Sequence, residues 1–197
     1  MTLPDIIFLN GASCAGKTSI TRGLQDQLPA PFMRLGVDDV VFPLAPPRWL
    51  GTPEGVRGTP RADGAVVIEM GPGGWALQRA FHRAARAIVD SGVRLIVDEV
   101  LFDPGLLLDW RDVLAGLDVM FVGVHCDLEE LEARERARPD RANGQCRAQV
   151  DVVHSHGPYD LEIDTTTTPA SACVRQIIAA LDAPGAAFFR PASSGRS

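Results

Sequence analysis

Gly11-Ala12-Ser13-Cys14-Ala15-Gly16-Lys17-Thr18 follows, after Asn10, the apolar run Ile6-Ile7-Phe8-Leu9, and precedes an amphipathic stretch. The eight residues obey the pattern G-x-x-x-x-G-K-[ST], and each residue type has a task on a nucleotide triphosphate. The glycines let the backbone wrap tightly and turn its N–H groups inward as an anion nest. A helix expected over Lys17–Gln27 points its positive end at the same phosphates. The Lys17 ammonium reaches the outer phosphates, and the Thr18 hydroxyl is a hard oxygen ligand for Mg²⁺. The expected nucleotide-binding set therefore runs from Gly11 through Ser19, with ATP as co-substrate.

Outward from this loop the chain alternates short apolar runs with amphipathic ones. Ile6–Leu9 reads as a buried strand, and Pro29 and Pro31 stop the helix that follows the loop. Phe32–Val37 reads as a second strand, Arg94–Val97 as a third, Val119–Val124 as a fourth and Leu161–Ile163 as a short fifth. Helices are expected over Trp75–Ser91, Gly105–Leu114, Leu128–Arg138, Gln145–His154 and Pro169–Leu181. Residues 43–64 are rich in Pro, Gly and Arg and read as a long irregular segment. This order predicts an α/β fold with a five-stranded parallel sheet and helices on both faces, as in P-loop kinases. One domain is expected over residues 1–182, with 183–197 as a disordered tail.

Bulk properties narrow the partners. The 197 residues carry a net charge of −6, which argues against a general binder of nucleic acid or anionic membrane. Apolar residues make up 46% of the chain, yet no run approaches the roughly 18 residues of a membrane span. Cys14, Cys126, Cys146 and Cys173 are widely spaced, which fits a reducing, cytoplasmic setting and gives no zinc pattern. Positive charge is concentrated at Lys17 and in the cluster Arg134-Glu135-Arg136-Ala137-Arg138-Pro139-Asp140-Arg141.

In parallel α/β sheets ligands sit at the carboxyl ends of the strands, so residues just beyond each strand matter most. Asp98 ends the third strand and is expected to organise Mg²⁺ together with Thr18. Asp38 and Asp39 follow the second strand, and either could accept the proton of a hydroxyl as phosphate transfers to it. Arg134, Arg138 and Arg141, spaced i, i+4, i+7, are expected on a lid that neutralises the transferring group. An apolar acceptor pocket could draw on Phe42, Trp49, Met70, Trp75 and Phe102 beside Asp39, although each reads more readily as core, Trp75 and Phe102 above all. Cys14 is expected to face away from the phosphates. His154 and His156 lack a third ligand and read as a poor metal pair.

With these residues placed, the chain resembles the chloramphenicol phosphotransferase family from about Ile6 to Thr166. The shared marks are Leu9-Asn10-Gly11, the loop through Thr18, Gly36-Val37-Asp38, Gly71-Pro72, and Ile96-Val97-Asp98-Glu99-Val100. They continue with Val122-Gly123-Val124-His125-Cys126-Asp127, Arg134-Glu135 to Arg138, Asp140-Arg141, and Val152-Val153-His154 through Tyr159-Asp160 to Asp164-Thr165-Thr166. The resemblance implies ATP-dependent phosphorylation of a primary hydroxyl of chloramphenicol, which inactivates the antibiotic. It also implies a nucleoside-kinase-like fold, Asp38 as the general base and a lid over 134–141. The chain departs from the family in Cys14 of the loop, in Asp39 where the family carries Ser, and throughout 42–70. The rival readings are a kinase of another small alcohol and, in a different class, a nucleotide-binding switch.

Overall fold

The computed structural model describes residues 3–138 and 143–181. At its centre five parallel strands lie in the order β2-β5-β1-β6-β7. They are β1 (Ile6–Asn10), β2 (Phe32–Gly36), β5 (Arg94–Glu99), β6 (Val119–His125) and β7 (Leu161–Asp164). The P-loop-kinase-like parallel sheet read from the sequence is therefore present. Five consecutive buried residues in β1 explain why that strand shows no alternation, since helices cover both of its faces.

Side chains of each strand point alternately to two cores. Ile7, Leu9, Ile96, Val122 and Val124 face one side, where α1 (Lys17–Gln27) and α7 (Ala170–Ala180) supply Ile20, Leu24, Val174 and Ile177. Ile6, Phe8, Leu95, Val97 and Phe121 face the other, under α3 (Pro72–Asp90) and α4 (Pro104–Val113). There Phe8 meets Trp110 and Phe121 edge to face, with ring centroids 5.2 and 5.6 Å apart. Such pairs contribute about 1 kcal/mol beyond simple burial. Among the described residues no helix is long and apolar enough to cross a membrane.

Three sequence expectations change. Val37 does not close β2; it opens α2 (Val37–Leu44), which carries Asp38 and Asp39 in its first turn, where the helix dipole favours carboxylates. Residues 43–64 are not irregular throughout. They hold the end of α2, a 3₁₀ turn at Pro47–Trp49, and the strand β3 (Val56–Pro60) of an antiparallel hairpin with β4 (Val66–Met70). Gly58, Pro60 and Arg57 hide the strand signal of Val56 and Thr59. The connecting turn uses Gly64 at φ 84° and closes through the Arg61 N–H to the Ala65 carbonyl, 2.8 Å.

The third change is in α6, which covers only Gln145–Gln149, not Gln145–His154. Beyond it the Val152 and Val153 N–H groups both turn to the Gln149 carbonyl, and the chain continues as turns. Likewise α5 (Leu128–Arg136) stops two residues earlier than expected, ahead of Pro139. Arg141 and the 183–197 tail lie outside the described residues.

One contact set joins the hairpin to the helices beside the phosphate loop. Glu135 of α5 is buried and accepts from the Gly144 N–H at 2.6 Å and the Cys146 N–H at 3.1 Å. The Gly144 carbonyl in turn accepts from the Val66 N–H of the hairpin at 2.8 Å. The neighbouring carboxylate and burial push the Cys146 thiol up to about 12, burial being the larger cause.

Candidate active site

Strand register brings the predicted groups together. Leu9 of β1 and Gly36 of β2 both pair with Asp98 of β5, so the phosphate loop, Asp98 and the start of α2 share one rim. Gly11 has no room for a side chain, because a Cβ would stand 2.4 Å from the Val124 carbonyl oxygen. Gly16 takes φ 86°, and no side chain caps the start of α1. Lys17, Thr18 and Ser19 of that first turn line the cleft in front of it. Uncapped N–H groups at a helix start attract anions through both hydrogen bonding and the dipole.

The cleft is about 590 Å³ and is bordered by Ser13 through Ser19, Asp38, Asp39, Asp98, Arg134 and Arg138. The Lys17 ammonium donates to the Gly11 and Ala12 carbonyls at 2.8 and 2.9 Å and stands 3.7 Å from Asp98 Oδ1. The Thr18 hydroxyl donates to Asp98 Oδ2 at 3.1 Å. Two hard oxygens beside the lysine form the donor set that Mg²⁺ prefers, so the pair fits that ion.

Arg134 is anchored on three sides. Its Nε donates to Glu130 at 2.8 Å, and its guanidinium also reaches the Thr165 carbonyl at 2.7 Å and the Cys14 carbonyl at 3.4 Å. This holds the charge against the phosphate loop, within 3.8 Å of where a Gly16 Cβ would be. Thr165, just beyond β7, donates from its hydroxyl to the Ala15 carbonyl at 2.9 Å, which buttresses the loop. Cys14 is at the edge of the cleft with φ 66°, and its side chain packs against the core beneath the loop.

A second, narrow cavity of about 50 Å³ opens beside the first. Ser13, Val37, Asp38 and Val100 line both, so Asp38 stands where the two meet. Phe42, Met70 and Phe102 wall the narrow cavity as the sequence suggested, joined by Val56 and Ile68 of the hairpin. Asp39 instead pairs with Arg34 at 2.8 Å on the phosphate side. Trp49 lines neither cavity, because it packs over Gly73, where a Cβ would meet its ring at 2.9 Å. Half-buried Trp75 packs over Gly105.

Several residues around these cavities escaped the sequence reading. Gln149 Oε1 accepts from the Ser13 N–H at 2.7 Å and so shapes the loop. Asn10 donates to the Tyr159 hydroxyl at 2.7 Å and accepts from the Leu101 N–H at 3.0 Å. Gln78 of α3 also lines the narrow cavity, and nothing in its sequence context marked it. Glu99, in the wall of the narrow cavity, accepts from the Val100 N–H and from Trp110 Nε1. Burial nevertheless pushes its carboxyl up to about 8.

His82 stacks on Trp110 with its Nδ1 2.5 Å from Asp109 Oδ2, while burial pulls its imidazole down to about 4. His154, weighed as half of a metal pair, lies 2.8 Å from the Tyr159 hydroxyl and stacks on His125. His156 instead contacts the Leu101 carbonyl. Burial, followed by the neighbouring His125, takes the His154 imidazole down to about 4 as well.

Comparison with known proteins follows this geometry. A family model described as chloramphenicol phosphotransferase-like protein matches residues 4–182. Two relatives from strains of Mycobacterium tuberculosis, named provisionally as O-phosphotransferases, are each 37% identical over 184 residues, covering 87% of this chain and 80% of theirs. Among solved structures, a sugar kinase from Janibacter superposes with a TM-score of 0.65 at 19% identity, covering 90% of this chain and 94% of its own. The Mycobacterium tuberculosis APS kinase, solved with AMPPNP and APS, gives 0.65 at 16% identity, covering 93% and 100%. At these identities the two structures establish the shared fold.

Proposed function

The chain belongs to the chloramphenicol phosphotransferase-like family and is an O-phosphotransferase with the P-loop kinase fold, and from that premise we propose that it transfers the γ-phosphoryl group of ATP to a primary hydroxyl of chloramphenicol. The observation that carries this reading is the place of Asp38, between a polar cleft edged by Lys17 and Arg134 and an apolar cavity edged by Phe42 and Phe102. A phosphoryl donor on one side and an alcohol on the other meet at that carboxylate.

In this reading the loop amides from Gly11 to Ser19 hold the phosphates. Lys17 swings from the Gly11 and Ala12 carbonyls to the outer phosphate oxygens, which are stronger acceptors for an ammonium. Thr18 and Asp98 would hold Mg²⁺, which neutralises charge on the phosphates when bound. Asp38 accepts the hydroxyl proton as the oxygen attacks. Arg134 and Arg138 stabilise the charge on the transferring group, with Arg141 as a third candidate from its spacing. ATP supply and the free thiols suit a cytoplasmic protein.

One observation favours a second reading. A cavity of about 50 Å³ is far below the 300 Å³ and more of a drug-sized site, so an acceptor smaller than chloramphenicol fits without movement of the hairpin. The test is ATP consumption with Mg²⁺, with and without chloramphenicol, with the product weighed by mass spectrometry. A product heavier by one phosphate, absent for an analogue lacking the primary hydroxyl, supports the first reading. ATP binding without that product moves the acceptor to a smaller alcohol, found by the same assay on a panel. ATP hydrolysis indifferent to every alcohol would instead mark a nucleotide switch.

A further inference from the structure

The narrow cavity beside Asp38 is apolar over most of its wall, with Val41, Phe42, Val56, Ile68, Met70 and Phe102 contributing. Its polar exceptions are instructive. The Glu99 oxygens accept from the Val100 N–H at 2.8 Å and from Trp110 Nε1 at 3.2 Å. Gln149 Oε1 accepts from the Ser13 N–H. Gln78 Oε1, by contrast, is buried with no donor among the described residues, and the residue is only 2% exposed. A buried amide oxygen left without a donor is costly, and native proteins rarely tolerate one unless something else supplies the hydrogen bond.

Gln78 gains nothing structural from being polar here. It sits on the buried face of α3 between Trp75 and His82, among Phe81 and Ala85, where leucine or methionine would pack without the penalty. Resting on the reading of this cavity as the acceptor site, we propose that Gln78 is a specificity-determining residue whose amide oxygen accepts a hydrogen bond from an N–H or O–H borne by the acceptor away from its reacting hydroxyl. The substrate class is then a compact alcohol with an apolar body and a second donor group, such as an amide or another hydroxyl. An alcohol of the same shape lacking that donor leaves Gln78 unpaired and is rejected, because buried polar groups discriminate more sharply by their unmet hydrogen bonds than apolar walls do by size.

The test uses the intact protein with ATP and Mg²⁺ and pairs of alcohols matched in size, one member carrying a remote N–H or O–H and the other a methyl or fluorine there. The donor-bearing member should show a kcat/KM about 10- to 100-fold higher. In Gln78→Met, close to isosteric, that preference should fall to within about threefold while KM for ATP stays unchanged. If Gln78→Met misfolds, Gln78→Glu, which keeps an acceptor oxygen, should retain the preference. Equal rates within pairs for the native protein, or an undiminished preference in Gln78→Met, overturn the proposal. Calorimetric binding of the same pairs separates it from the reading beneath: donor-selective binding without turnover upholds Gln78 and sinks the kinase reading of the cavity, while absence of both sinks the two together.

Discussion

The cleft at the phosphate-loop motif and the narrow cavity beside it both border Asp38, yet they are built in opposite ways. The cleft is backbone-made: glycines at 11 and 16, the open start of α1, and carbonyls that hold Lys17 and Arg134 in place. The narrow cavity, proposed as the acceptor site, is side-chain-made, from the hairpin, α2 and α3, and depends on which residues happen to line it. A backbone cradle suits a ligand that never changes, whereas a side-chain wall is free to vary with the substrate while the reaction stays the same.

Substitutions can break or sharpen that contrast. The largest effect is expected from Asp38→Asn, which belongs to both sides. Turnover should fall about 10³-fold with ATP affinity unchanged, measured by single-turnover phosphorylation and nucleotide titration. Normal turnover would remove the carboxylate from its role. Arg134→Lys should come next, with kcat down about 100-fold, since an ammonium cannot keep the carbonyls of Thr165 and Cys14 and the phosphoryl group together. Its acceptor KM should stay within a factor of about three; a larger change there would mean the two sides are not separable.

Gly144→Ala strains a residue at φ 99° whose Cβ would stand 2.3 Å from the Gly64 carbonyl oxygen. It should cost about 1–3 kcal/mol in denaturant unfolding and raise the acceptor KM several-fold, leaving KM for ATP nearly unchanged.

The smallest effect concerns pH. His82 and His154 ionise near 4 in the folded protein, against 6.5 when exposed. The unfolded chain therefore binds more protons between those values, and their contribution to stability rises with pH from about 4 to 6.5 and is flat above. His82→Gln should remove several degrees of that rise in the melting temperature; an unchanged slope would show that His82 is not held neutral.

The same contrast explains what could be read in advance. The loop, Lys17, Thr18, Asp98 and the parallel sheet rest on local rules, a fixed spacing followed by a helix and apolar runs ended by carboxylates. The order of strands, by contrast, emerges only in the structure. Residues 43–70 escaped because Gly58, Pro60 and Arg57 interrupt β3, and its pairing with β4 is a fact of partners and not of composition. Trp49 was assigned to the pocket by proximity along the chain and went instead to the glycine-thin start of α3. Gln78 was invisible as a site residue because its meaning lies in a missing partner, which only a packed environment can reveal.

The chain of contacts from Val66 through Gly144 to Glu135 has a kinetic corollary. Glu135 follows Arg134 directly in α5, so these hydrogen bonds tie the hairpin to the helix that carries the arginine. The tie helps fix where the arginine stands, since Arg134 already rests on the Thr165 and Cys14 carbonyls beside the phosphate loop. Loosening the link at Glu135 should therefore lower kcat with Arg134 itself intact, read in the same single-turnover assay.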